Sequence, residues 1–214
     1  MSGDRLLYDY WRSSAAYRVR IVLNLKGLEY EQKSINLAAG AQSGVGFKML
    51  NPHGRVPYLI DGDTGLNQSL AICEYLEERH PEPSILPGDA ARRGHIRAAA
   101  QIIACDVHPL NNISVLRYLK NDLSQEEDAL NAWYHHWIDT GLRPLEELAS
   151  ASKGPYLFGD TVTLADVCLS PQMYNARRFR MNLEPYPALV EMDKRLMQLD
   201  AFQAARPEAQ EDAS

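Results

Sequence analysis

Arg12-Ser13-Ser14 stands between a short apolar run, Leu6 to Tyr10, and an apolar stripe at helical spacing from Val19 to Leu25 that Gly27 ends. Two hydroxyls and a guanidinium therefore fall where a strand is expected to turn into a helix. The first N–H groups of a helix have no internal partners, and the helix dipole is positive there. Such a junction suits an anion, a thiolate or a carboxylate. A free alkyl thiol titrates near pH ~8.5. Lowering that pKa by roughly two units corresponds to about 2.7 kcal/mol. Arginine binds carboxylate in a bidentate fork, which makes Arg12 a candidate for a carboxylate substrate. Val56-Pro57 opens a further strand. An X-Pro bond is the only kind that becomes cis at low cost. Proline cannot donate to a ladder, so Pro57 also reads plainly as a strand-starting or edge residue. Gln68-Ser69 opens an amphipathic helix through Arg79. Amide and hydroxyl at that helix N-terminus suit a carboxylate, and Ser69 also reads as its cap.

Other reactive residues have plainer readings. His135-His136 are adjacent, so on a helix they point about 100° apart and do not converge on a metal. Cys73, Cys105 and Cys168 are far apart and form no metal or redox spacing. A sparse, odd set fits a reducing compartment. Cys105 lies three residues before His108 and reads as a small core residue. The 214 residues carry a formal net charge of −6. That balance argues against a general nucleic-acid or anionic-membrane partner, so any anion site is a local basic pocket. No apolar stretch approaches the roughly 20 residues needed to span a bilayer, and no basic-then-apolar leader opens the chain. A soluble, cytoplasmic protein without nucleic-acid or membrane partners is expected.

The elements that must position these residues read in order as strand (6–10), helix (14–26), strand (30–35), a glycine-bearing loop (38–46), a short helix (47–50), two strands after Pro57, and a helix (68–79). Ile72, Cys73 and Leu76 form the apolar face of the last. Three prolines between His80 and Asp89 mark a linker. An α/β domain over residues 1–82 and an all-helical domain over 90–214 are expected. Long helices are expected at 90–120, broken at Pro109, and at 125–149. Thr163 and Asp166 form a capping box for a helix to about Phe179, and another runs from Ala188 to Leu199. The tail after Arg206 reads as polar and disordered.

This order, with Arg12-Ser13-Ser14-Ala15 before Tyr17-Arg18-Val19-Arg20-Ile21, Val56-Pro57, Gln68-Ser69, and Gly159-Asp160 before Thr163 to Asp166, resembles the cytosolic glutathione transferase family, and the serine segment its zeta class. Asn51-Pro52, Pro171-Gln172, Asn175 to Phe179 and Pro185-Tyr186-Pro187 add to the likeness, which spans Leu6 to Phe202. The cysteine that follows the two serines in that class is Ala15 here. The resemblance implies a thioredoxin-like first domain, an all-helical second domain, glutathione as cofactor and a homodimer. It assigns the thiol contact to Ser13, beside Ser14. It also brings Gln42, Val56, Gln68, Ser69, His108, Asn112 and Ser114 to glutathione. Since His108 and Asn112 are four apart, one helix face can carry both. Arg12 and Arg178 match the positions that hold a dicarboxylate substrate, with Arg177 the less favoured substitute for the latter. The implied activity is glutathione-dependent cis–trans isomerisation of a maleyl-type dioxo acid, maleylacetoacetate or maleylpyruvate, in aromatic catabolism. A transferase or dehalogenase acting on small α-halo acids, and a non-catalytic glutathione-binding module, are the alternatives.

Overall fold

The computed structural model describes residues 5–213. The chain forms two compact units, one built from the segments up to Ser84 and beyond Met197, the other from Ile85–Met197. Among the described residues no helix is long and apolar enough to cross a membrane.

The first unit begins with β1 (Arg5–Asp9), α1 (Ser14–Leu25) and β2 (Glu31–Ser34). A short 3-10 turn (Ala41–Ser43) and α2 (Val45–Leu50) precede β3 (Tyr58–Asp61), β4 (Thr64–Asn67) and α3 (Ser69–Arg79). The sheet order is β2-β1-β3-β4. β2 runs parallel to β1, while β3 pairs antiparallel with both β1 and β4. The parallel pair needs a crossover, and α1 provides it. Its Val19, Ile21, Val22 and Leu23 are wholly buried. Gly27, at φ +62°, ends the crossover in the left-handed region that glycine adopts without a Cβ clash. α3 adds Ile72, Cys73 and Leu76, all fully buried, and packs on α1.

Register decides what the sheet positions. Tyr8 lies opposite Tyr58, and Tyr58 opposite Asn67. The end of β1, the start of β3 and the end of β4 therefore share one end of the sheet. Chain leaving there carries Arg12 to Ser14, Val56-Pro57 and Gln68-Ser69. The parallel β2 ends there too, at Ser34 opposite Asp9.

Two buried cations tie this unit together. The Arg20 side chain is fully buried, with Nη1 2.6 Å from Asp9 Oδ2, Nε donating to Ala205 O at 2.9 Å and Nη2 to Trp11 O at 3.0 Å. Lys26 Nζ meets Glu77 at 2.8 Å and donates to the carbonyls of His80 and Pro83. The C-terminal segment differs from its sequence reading. α9 (Asp200–Ala205) packs on α1, so the chain after Met197 belongs with the first unit and not with the helices. The tail beyond Arg206, expected to be disordered, is bound. Gln210 is buried and donates to the carbonyls of Ala204 and Arg206, while Asp212 accepts from Ser34 Oγ at 2.5 Å and from the Trp11 N–H at 3.3 Å.

Tyr30 makes the alkaline stability of this unit testable. Burial pushes its hydroxyl up to about 12, with the Arg20 charge opposing and the Asp9 charge adding. Because the folded pKa lies above the unfolded value of about 10, the unfolded chain loses this proton first. Its contribution is full below pH ~10 and falls by about 2–3 kcal/mol as pH rises to ~12. Urea unfolding at pH 9, 10, 11 and 12 is expected to show this slope in the native chain. In Tyr30→Phe the slope is expected to be flatter by that amount.

In the second unit α4 (Ala90–Gln101) continues as a π-helical segment (Ile102–Val107), followed by α5 (Ile113–Asn121), α6 (Glu127–Ala151), α7 (Leu164–Arg178) and α8 (Pro187–Leu196). α7 begins with the expected capping box. Asp166, fully buried, accepts from the Thr163 N–H at 2.8 Å, Thr163 Oγ1 at 2.7 Å and the Leu157 N–H at 3.0 Å. Cys105 corrects its reading as a core residue. Ile103 and Val107 take the core side of the π-helical segment and leave Cys105 exposed.

Candidate functional site

Ser13 is the N-cap of α1, with extended backbone, and its Oγ accepts from the Ala16 N–H at 3.2 Å. A hydroxyl has one donor and two acceptor positions. The Ala16 bond uses an acceptor position and leaves the O–H to donate outward at the positive end of the helix. Capping and anion binding are thus compatible at this residue. Ser14 opens α1 and is buried. Arg12, half-buried, lies with Cζ 4.5 Å above the Trp11 ring, and its Nη2 reaches Tyr10 Oη at 3.3 Å. It forms no ion pair among the described residues, so its charge is open to an anion.

The peptide bond between Val56 and Pro57 is cis. The Val56 side chain sits in a cluster with Tyr8, Tyr10, Trp11 and Phe47, so packing couples its position to the Arg12–Ser14 segment. Asn51 organises this corner and was not singled out as functional from sequence. It is fully buried. Its Nδ2 donates to Arg55 O at 2.7 Å, and its Oδ1 accepts from the His53 N–H and from Asn67 Nδ2. It thus joins the chain before Val56 to the end of β4. The turn dipeptide Asn51-Pro52 was the available signal. Gln42 lies in the 3-10 turn, with its Oε1 buried and without a hydrogen-bond partner.

Ser69 does not cap α3. It is the first helical residue, and Gln68 occupies the cap position at φ +67° without a side-chain cap bond. That φ is unusual for a residue with a Cβ and is held only where surrounding structure imposes it. The Ser69 hydroxyl instead accepts from Arg18 Nη1 at 3.1 Å. Arg18 is buried, and its Nε and Nη2 have no hydrogen-bond partner. It shares a helix face with buried Ile21 and Val22, three and four residues on. A charge on that apolar face was the signal for it. This corner carries an uncompensated positive charge beside the α3 N-terminus, which fits a carboxylate. The unbonded Gln42 oxygen fits a peptide-like ligand that brings N–H donors.

The second unit sorts the remaining candidates. Arg177 is committed to Asp193, at 2.5 Å. Arg178, the last residue of α7, is exposed and forms no ion pair among the described residues. His108 and Asn112 do not share a helix face. Pro109 lacks an N–H, the helix ends before it, and residues 108–112 form a turn. Asn112 is the N-cap of α5, where its Oδ1 accepts from the Ser114 N–H at 3.0 Å and from Ser114 Oγ at 2.9 Å. The turn is tied to α6 by Trp133 Nε1, which donates to Leu110 O at 2.9 Å.

Models of the glutathione S-transferase N-terminal domain and C-terminal domain match residues 5–78 and 109–204. A probable maleylacetoacetate isomerase of Vibrio cholerae is 48% identical over 210 residues, covering 97% of this chain and 98% of its own. The holo structure of a bacterial zeta-class maleyl pyruvate isomerase superposes with a TM-score of 0.96 at 45% identity, covering 98% of this chain and all of its own. A maleylacetoacetate isomerase of Methylobacterium extorquens with bound malonate and glutathione gives a TM-score of 0.94 at 38% identity, covering 98% and 99%. The chain belongs to the glutathione S-transferase family, with a thioredoxin-like first unit and a helical second one. Within that family it belongs to the zeta class.

Proposed function

We propose that this chain is a glutathione-dependent isomerase that converts the cis double bond of a maleyl-type dioxo acid to the trans, fumaryl form. The observation that carries the reading is Ser13, whose hydroxyl remains able to donate at the positive end of α1 while its lone pair caps the helix. Glutathione, when bound, supplies a sulfur nucleophile that adds reversibly to the conjugated double bond, so that rotation can occur before it leaves unchanged. Ser13, with Ser14 beside it, holds the sulfur as its thiolate. Val56 offers backbone to the peptide part. Gln68 and Ser69 take the γ-glutamyl carboxylate, and Gln42 binds further along the tripeptide. His108, Asn112 and Ser114 complete the set by resemblance; Asn112 and Ser114 do so while engaged in capping α5. Arg12 and Arg178 bind the substrate carboxylates and offset the negative charge that develops on its oxygens. Ala15 leaves the sulfur chemistry to the cofactor alone. The working protein is taken to be a cytoplasmic homodimer. Val45 and Met49, exposed one turn apart on α2, support a surface that a second copy covers.

Titrating the thiolate absorbance of bound glutathione tests this reading. A midpoint at least one unit below the free thiol's ~8.5 is expected. A midpoint at the free value would favour a binding module without catalysis.

A further inference from the structure

Arg178 is held at its root by two adjacent residues of α6. The end of α7 closes with the Arg180 N–H donating to Arg177 O at 3.0 Å and the Met181 N–H to Ala176 O at 2.9 Å. This is the helix stop that usually places glycine in the left-handed position. Here Arg180 takes it, at φ +53°. A residue with a Cβ stays in that conformation only when its surroundings fix it. Phe179 is where they do so. Its ring stacks on the Tyr134 ring, with centroids 3.6 Å apart and planes 18° apart. Its carbonyl accepts from His135 Nε2 at 2.8 Å; a carbonyl cannot donate, so that nitrogen carries the proton. The Arg178 guanidinium carbon lies 5.0 Å from the centroid of the same Phe179 ring. Burial pushes the Tyr134 hydroxyl pKa up and the Arg178 charge partly offsets this, so the guanidinium is within electrostatic reach of α6. Arg177, one residue back, is instead neutralised by Asp193.

We propose that His135 is a positioning residue for Arg178. With Tyr134 it locks Phe179, and through Phe179 it holds the guanidinium preorganised for a substrate carboxylate. The proposal rests on the reading of Arg178 as a carboxylate ligand. A flexible cation must be immobilised on binding, and a prepositioned one has less freedom to lose. The contribution therefore appears in substrate affinity more than in the chemical step.

The test compares Arg178→Met, His135→Ala and His135→Gln, measuring KM and kcat for a maleyl dioxo acid at saturating glutathione. Arg178→Met is expected to raise KM roughly tenfold or more, as loss of a charged hydrogen bond does. His135→Ala is expected to raise KM about fivefold with a much smaller change in kcat. His135→Gln keeps an N–H donor for the Phe179 carbonyl and is expected to recover most of that loss. If His135→Ala leaves KM unchanged while Arg178→Met raises it, the positioning role is wrong. Equal losses in the alanine and glutamine variants also overturn it, because the donated hydrogen bond is then irrelevant. If Arg178→Met itself leaves KM unchanged, the reading of Arg178 fails and the positioning role falls with it. Should the alanine variant not fold, Tyr134→Leu removes the stack and keeps the histidine. A higher KM there supports the clamp, and an unchanged KM overturns it.

Discussion

Ser13→Ala is expected to lower the isomerisation rate by on the order of a hundredfold or more, because loss of one preorganised donor to a charged group costs about 3 kcal/mol in the transition state. The same substitution removes the N-cap acceptor from the Ala16 N–H, which is expected to cost about 1 kcal/mol of stability. The two losses have different origins, and Ser13→Asp separates them. An aspartate caps a helix about as well as serine. It carries no donor for a thiolate and adds a like charge beside it. Stability by urea unfolding is therefore expected to stay near the native value, while the rate falls at least as far as in the alanine variant. The thiolate midpoint of bound glutathione is expected to rise in both. Full activity in Ser13→Ala would remove Ser13 from the mechanism.

Arg20→Met is expected to destabilise the protein by about 3–5 kcal/mol, since it leaves Asp9 as a buried charge without its counter-ion. Domains are stable by only roughly 5–15 kcal/mol, so this is a large share. Arg20 also donates to Ala205 O and Trp11 O. The variant should therefore loosen α9 and the approach to Arg12 together. Urea unfolding measures the loss, and limited proteolysis should cut earlier near Ala205. Adding Asp9→Asn to Arg20→Met removes the stranded charge, so the double variant is expected to be more stable than Arg20→Met alone. A loss below about 1 kcal/mol for the single variant would mean that water reaches Asp9 and that the ion pair contributes little.

Much of the first unit could be read from residue patterns, because its signals are local. The strand-to-helix junction at Ser13-Ser14, the Gly27 stop and the apolar stripe between them belong to one helix and its two ends. The capping box from Thr163 to Asp166 is likewise local, spanning four residues. What escaped the sequence depends on contacts between distant segments. Ser69 looks like a cap, and only Arg18, 51 residues away, explains why its hydroxyl turns elsewhere. Gln210 and Asp212 look like a solvated tail, yet Gln32, Ser34 and Trp11 hold them. Four-residue spacing allows His108 and Asn112 one face, but that rule assumes an unbroken helix. Pro109 breaks it.

Glutathione acting at Ser13 as a cofactor must be returned unchanged. Incubating the protein with a maleyl dioxo acid and glutathione at a small fraction of the substrate concentration tests it most directly. Loss of the cis enol chromophore and the amount of free thiol are followed together. Complete conversion to the fumaryl isomer, with all of the thiol recovered, is the predicted result. Conversion that stops when the glutathione is used up, or no conversion at all, would contradict it.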